Sequence, residues 1–202
     1  MTWAMTRAAA KVALLGAGRM GQIHGRNAAA HPGLNLAWLI EPRAEAASVL
    51  AAELGCRTAS LDAALADPDL AGVIVASSTD THLDAVLACL AAGKAVFCEK
   101  PLDLDLGRLR AQEAALTAPG GRLLVAFNRR FDPHFRELKA KIAAGAIGTL
   151  ETLTLISHDP APPPPAFIPT SGGLFRDFTI HDFDGILIEL GSHMPWPFDE
   201  NR

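Results

Sequence analysis

Near the N-terminus, Lys11–Leu15 is a short apolar run, and Gly16-Ala17-Gly18-Arg19-Met20-Gly21 follows it without a gap. Gln22–Ala30 then reads as a helix. A G-x-G-x-x-G segment between a strand and a helix leaves few folds open to the chain. The first glycine makes a tight turn, the second lets backbone approach a pyrophosphate, and the third lets helix pack on strand. The helix N-terminus then offers its free N–H groups to the phosphates. A second apolar run, Leu34–Ile40, ends at Glu41. That acid lies about twenty residues past the last glycine, where a ribose-binding carboxylate is expected. The turn residues Gly16, Gly18, Arg19, Met20 and Gly21, with Glu41, are therefore candidate cofactor contacts. Glu41 favours NAD over NADP, while Arg43, two residues on, is placed to receive a 2′-phosphate.

Strand and helix keep trading places along the chain. Ala44–Leu54 is helical and closed by Gly55, Leu61–Leu65 is a short helix, and Gly72–Ala76 is a buried strand. Ser77–His82 is a polar loop opening the helix Leu83–Ala92, and Ala95–Cys98 is a strand leading into Glu99-Lys100-Pro101. Asp105–Thr117 reads as one helix, stopped by Pro119-Gly120-Gly121, and Arg122–Phe127 as the last strand. This alternation predicts an α/β, Rossmann-type doubly wound parallel sheet built with right-handed crossovers. Loops at the C-terminal ends of its strands line the cofactor crevice. Ser77, Ser78, Thr79, His82, Glu99 and Lys100 fall on those loops and join the candidate cofactor contacts. His82 either caps its helix or meets the nicotinamide end. His24 reads as packing support, and Arg129-Arg130 as a solvated or domain-bridging pair.

The chain has 202 residues and a net charge of −4, with half of its residues hydrophobic. That suits one full domain and part of another. Mild acidity without a basic run argues against nucleic acid or an anionic membrane as partner. No apolar stretch is long enough to span a bilayer. Cys56, Cys89 and Cys98 are widely spaced, which predicts buried free thiols in a reducing, cytoplasmic setting and no metal site. The stretch before Gly18 reads as a ragged start rather than a signal peptide.

Toward the C-terminus, SGGLFRDFTIHDFD places Asp177, His181 and Asp184 at helical spacings of four and three. On a helix the three side chains share one face. A solvated helix face is the bland reading of such a stripe. The chemical reading is a grip on a hydroxylated substrate, with an imidazole able to take and return a proton near neutral pH.

Taken together, GAGRMGQIH, ASSTDTH, CEKP, VAFNRRFDP and SGGLFRDFTIHDFD resemble the glucose–fructose oxidoreductase/inositol dehydrogenase/MocA-like oxidoreductases. Within that family the chain looks most like the inositol 2-dehydrogenases, and the resemblance runs from about Lys11 to Asp184. It implies a Rossmann domain, here residues 1–127, followed by a second domain on an open, mostly antiparallel sheet, here a partial 128–202. It implies NAD as cofactor, a cyclic polyol or sugar (myo-inositol favoured) as substrate, and homo-oligomers among full-length members.

Lys100, Asp177 and His181 are the catalytic set that the resemblance implies, with Asn128 and Asp184 also facing the polyol. His181 takes the hydroxyl proton and Lys100, in an extended turn fixed by Pro101, stabilises the developing alkoxide. The rival for Lys100 is an ordinary surface lysine paired with Glu99. Leu150–Ser157 is the expected first strand of the second domain. The Pro-rich 159–165 is the expected loop over the site mouth, and His158 stands where similar sequences tend to have Arg. After Asp184 the text departs from the family and the chain reads as C-terminally truncated. Two outcomes of different class follow: an inositol-type dehydrogenase, or a non-catalytic remnant that only binds dinucleotide. A third stays within the family, an oxidoreductase or nicotinamide-dependent glycosidase acting on another sugar.

Overall fold

The computed structural model describes residues 8–154 together with Ile156, Pro162, Pro165, Ile168 and Gly173. Six strands form one sheet: β1 (Ala10–Leu15), β2 (Leu34–Ile40), β3 (Arg57–Thr58), β4 (Leu70–Val75), β5 (Ala95–Cys98) and β6 (Leu123–Val125). Their order is β3-β2-β1-β4-β5-β6, and every pairing is parallel. This is the doubly wound order, with its switch point between β1 and β4. The expected Rossmann-type sheet is therefore present.

Alternate residues of β1 serve opposite faces of the sheet, as a strand period of two requires. Val12 and Leu14 join one core with Leu36, Leu39, Leu50 and Ala51. The helices on that side are α1 (Arg19–Ala30) and α2 (Ala44–Leu54). Ala13 joins the other core with Val73, Val75, Val86, Val96 and Cys98. That side is covered by α3 (Leu61–Leu65) and α4 (His82–Ala91). Helix α2 ends at Gly55 with φ of 67°, the left-handed cap that glycine adopts without strain. Ser60 caps α3 by accepting the Ala63 N–H at 3.1 Å.

At the N-terminal ends of the strands, away from the glycine turn, Asp67 gathers three elements. Its carboxylate meets Lys11 Nζ at 2.6 Å and accepts Trp38 Nε1–H at 3.0 Å, while its carbonyl accepts Lys94 Nζ at 2.9 Å. The Lys11 ammonium and then the Trp38 indole hold the Asp67 carboxyl below its ordinary range, at about 2. Cys89 and Cys98 are buried free thiols, and Cys56 is partly buried. Burial pushes Cys89 up to about 11 and Cys98 to about 12, so neither is a ready thiolate near neutral pH.

In the sheet and its covering helices, one expectation shifts and one strand is new. The single helix over 105–117 is two, α5 (Leu106–Ala111) and α6 (Glu113–Leu116), because Gln112 leaves the helical region at φ −108°, ψ 6°. Strand β3 has two residues, too few for a hydrophobic pattern, and exists through its pairing with Trp38 and Leu39.

The chain divides into two compact units, 1–126 and 127–202. The second opens with a 3-10 turn, Asn128–Phe131, and α7 (Pro133–Ala143). Asp132 caps α7 by accepting the His134 and Phe135 N–H groups, and Pro133 sits where a missing N–H costs nothing. Arg129 lies 4.9 Å from the Phe135 ring and Arg130 lies 5.5 Å from the Phe127 ring. The expected strand Leu150–Ser157 is not formed in its described part, residues 150–154 and Ile156. A strand exists by its ladder, and no described residue pairs with this segment; Ile156 is 79% exposed.

Candidate functional site

The three glycines of the turn differ in what surrounds them. Gly16 has φ of 103°, and a Cβ there would lie 2.5 Å from the Ala76 carbonyl oxygen. The turn after β1 thus presses on the turn after β4, and only glycine fits. At Gly21 a Cβ would overlap the Gly16 carbonyl oxygen, so the helix starts hard against the strand end. Gly18 is the opposite case: a Cβ would meet nothing within 4 Å. It is exposed and N-caps α1 with no side-chain cap and no acid in the first turn. The first N–H groups of α1 are therefore left for a phosphate, and the space above Gly18 is a cradle that a side chain would fill. Arg19 is exposed at the first helical position, while Met20 packs against the α1/α2 core.

Glu41 follows β2 and turns back onto the turn. Its Oε2 accepts the Ala17 N–H at 2.8 Å, and its Oε1 accepts the Arg43 Nε–H at 2.8 Å and the Arg43 backbone N–H at 3.1 Å. Arg43 above all, then the Ala17 and Arg43 N–H groups, hold the Glu41 carboxyl at about 2, against the opposing effect of burial.

The loop after β4 is tied to itself. Ser77 and Thr81 hydroxyls lie 2.7 Å apart, and Thr81 Oγ donates to the Ser78 carbonyl at 2.8 Å. Ser78 is exposed, and Thr79 opens the 3-10 turn Thr79–Thr81 before α4. His82 is 2% exposed. Its Nδ1 lies 2.8 Å from the Pro101 carbonyl oxygen and its Nε2 3.2 Å from that of Ser77. Neither ring nitrogen caps the helix. The ring is a buried tie between the β4 loop and the β5 loop.

The β5 loop carries Glu99 and Lys100, and the Lys100–Pro101 peptide bond is cis. The Glu99 N–H donates to the Val75 carbonyl at 2.8 Å, so the loop continues the β4–β5 ladder. Glu99 Oε2 accepts the Lys100 N–H at 3.3 Å. Its Oε1 lies 2.7 Å from His24 Nε2. His24 does pack, edge-on to Phe97 at 5.1 Å, but it also links α1 to the loop of Lys100, which sequence reasoning missed. The signal was its position three residues past Gly21 on the face of α1 toward the sheet.

The structure thus gathers Gly16–Gly21, Glu41, Ser77–His82 and Glu99–Lys100 at the carboxyl ends of β1, β2, β4 and β5. Asn128 is an exposed residue of the second unit. Asp177, His181 and Asp184 lie outside the described residues. Among the described residues, no helix is long and apolar enough to cross a membrane.

Comparison with known proteins agrees with this geometry. Residues 10–127, more than half of the chain, match the Gfo/Idh/MocA family, described as an oxidoreductase family with an NAD-binding Rossmann fold. An inositol 2-dehydrogenase of Rhizobium meliloti is 43% identical over 178 residues, which is 88% of this chain and 54% of that protein. A myo-inositol dehydrogenase of Corynebacterium glutamicum superposes with a TM-score of 0.79 at 42% identity, over 88% of this chain and 54% of that one. A scyllo-inositol dehydrogenase of Lactobacillus casei, solved with NAD(H) and scyllo-inositol bound, superposes with a TM-score of 0.72 at 26% identity, over 88% of this chain and 55% of that one. The chain spans about half the length of the relatives it matches. It belongs to the Gfo/Idh/MocA oxidoreductase family and carries that family's NAD-binding Rossmann fold.

Proposed function

We propose that this protein is an NAD-dependent oxidoreductase that moves a hydride between a cyclic polyol, myo-inositol in the first instance, and the nicotinamide. The observation that carries the reading is the open cradle at Gly18 after β1, on the same carboxyl edge of the sheet as the loop of Lys100 after β5, with β4 between the two strands. The named relatives act on inositols by their names, which supports the substrate class.

In this reading Gly16–Gly21 and the α1 N-terminus hold the pyrophosphate, and Glu41 takes the adenosine ribose hydroxyls. Arg19, Met20 and Arg43 flank that half, and Ser77–Thr79, His82 and Glu99 shape the walls toward the nicotinamide. NAD supplies the hydride acceptor. Lys100 brings positive charge to the alcohol oxygen as its proton leaves, and His181 receives that proton, oriented by Asp177. Asn128 and Asp184 hold other hydroxyls of the ring, because a desolvated hydroxyl without a partner is costly.

A second reading is a dinucleotide-binding protein without turnover, for which the glycine turn and Glu41 alone suffice. Titration of the 202-residue chain with NADH and NADPH, then an assay with NAD and myo-inositol, scyllo-inositol or glucose, separates them. NADH binding with inositol oxidation is the expected result. NADH binding with no turnover of any of the three favours the second reading, and failure to bind either dinucleotide overturns both.

A further inference from the structure

Glu41 stands where a ribose-binding acid is expected, yet one of its bonds points elsewhere. Its Oε2 accepts the N–H of Ala17, the residue between the first two glycines of the turn, at 2.8 Å. Ala17 is 5% exposed, and the Glu41 side chain is 6% exposed. The carboxylate also takes the Arg43 backbone N–H at 3.1 Å, Nε–H at 2.8 Å and Nη2–H at 3.3 Å. A carboxylate has about four acceptor sites, and these donors occupy them. The two from the guanidinium belong to a side chain that is 67% exposed, so ligand hydroxyls can take their place. The Ala17 N–H, by contrast, belongs to the turn itself.

We propose that Glu41 is a positioning residue for the phosphate turn as well as a ribose ligand: its carboxylate latches the Ala17 N–H and holds Gly16–Gly18 in the shape that receives a diphosphate. The inference rests on the dinucleotide reading of the site and adds a duty that the ribose contact does not require. It has a consequence for specificity. Exchanging this acid, the direct way to admit a 2′-phosphate, also loosens the cradle for the diphosphate that NAD and NADP share.

The test uses the whole chain and two ligands, ADP and 2′,3′-dideoxy-ADP, the second without hydroxyls for Glu41 to bind. Glu41→Ala should weaken dideoxy-ADP binding about tenfold, the equivalent of one bond to a charged group, and ADP binding further. Glu41→Gln keeps an oxygen for the Ala17 N–H and should hold dideoxy-ADP binding to within about threefold of wild type while narrowing the NADH over NADPH preference. Unchanged dideoxy-ADP binding by folded Glu41→Ala would confine Glu41 to the ribose and overturn the latch.

Should Glu41→Ala fail to fold, the Ala17 amide proton resonance decides. Bonded to a carboxylate in the wild type, it should move upfield in Glu41→Gln, and an unmoved resonance overturns the proposal. Failure of the wild type to bind ADP at all is a different result: it counts against the dinucleotide reading, and the resonance still reads the latch.

Discussion

His24 Nε2 lies 2.7 Å from Glu99 Oε1, and through this pair the helix behind the glycine turn holds the loop of Lys100. Both side chains are largely buried, at 18% and 12% exposed. Glu99 spends its other oxygen on the Lys100 N–H. His24→Ala therefore strands a desolvated carboxylate oxygen and removes an edge contact with Phe97. A bond to a charged group is worth about 1.5–3 kcal/mol, and the variant should lose about that much. Urea unfolding reads it as a lower midpoint at unchanged slope. His24→Gln, whose amide can donate, should recover part of the loss. A midpoint equal to wild type in His24→Ala would show that the pair contributes nothing to stability.

The glycine turn separates folding from binding. Gly18→Ala puts its methyl into open space, so the melting temperature should stay within a few degrees of wild type while NADH affinity falls. Gly21→Ala drives a Cβ into the Gly16 carbonyl, a backbone group that cannot swing aside, and should destabilise the fold itself. Circular dichroism melts and NADH fluorescence titration on the two variants check this. Equal effects of both substitutions on both readouts would mean that the turn has been misassigned.

Such differences between glycines were only partly open to sequence reading. The strand–turn–helix setting of GAGRMG and the acid after Ile40 were legible because spacing and hydrophobic runs are local properties. The tie from His24 to Glu99 and the burial of His82 between Ser77 and Pro101 were not, since each joins residues distant in sequence. Helix α7 carried a readable signal in Asp132-Pro133, a cap followed by a first-turn proline. The same residues lie inside FNRRFDP, where the family resemblance and the helix start overlap.

Acid should unfold the first unit through two carboxyls. Glu41 moves from 4.5 to about 2 on folding and Asp67 from 3.8 to about 2. A carboxyl with a depressed folded pKa binds fewer protons folded than unfolded, so stability rises with pH across the window. The contribution is complete above about pH 5 and fades as pH falls toward 2. Melting temperatures at steps from pH 7 to pH 2.5 should decline most steeply below pH 4.5. Lys11→Met with Arg43→Ala removes the ammonium beside Asp67 and the guanidinium beside Glu41 and should flatten the decline. An unaltered pH dependence in that double variant would assign acid unfolding to other groups.

Lys100 offers the sharpest test of chemistry. Its backbone N–H is held by Glu99, so Lys100→Ala removes the amine without removing that anchor. NADH should still bind, because the glycine turn and Glu41 remain, but more weakly by the Lys100 contact, and its binding should be unchanged in His181→Ala. Inositol oxidation at saturating NAD should fall by about 10²–10⁴-fold, the usual range for a group that assists proton movement in the transition state. His181→Ala should fall by a similar factor. A lysine that merely paired with Glu99 at the surface would leave turnover unchanged in Lys100→Ala, and near wild-type rates in that variant would remove Lys100 from the mechanism.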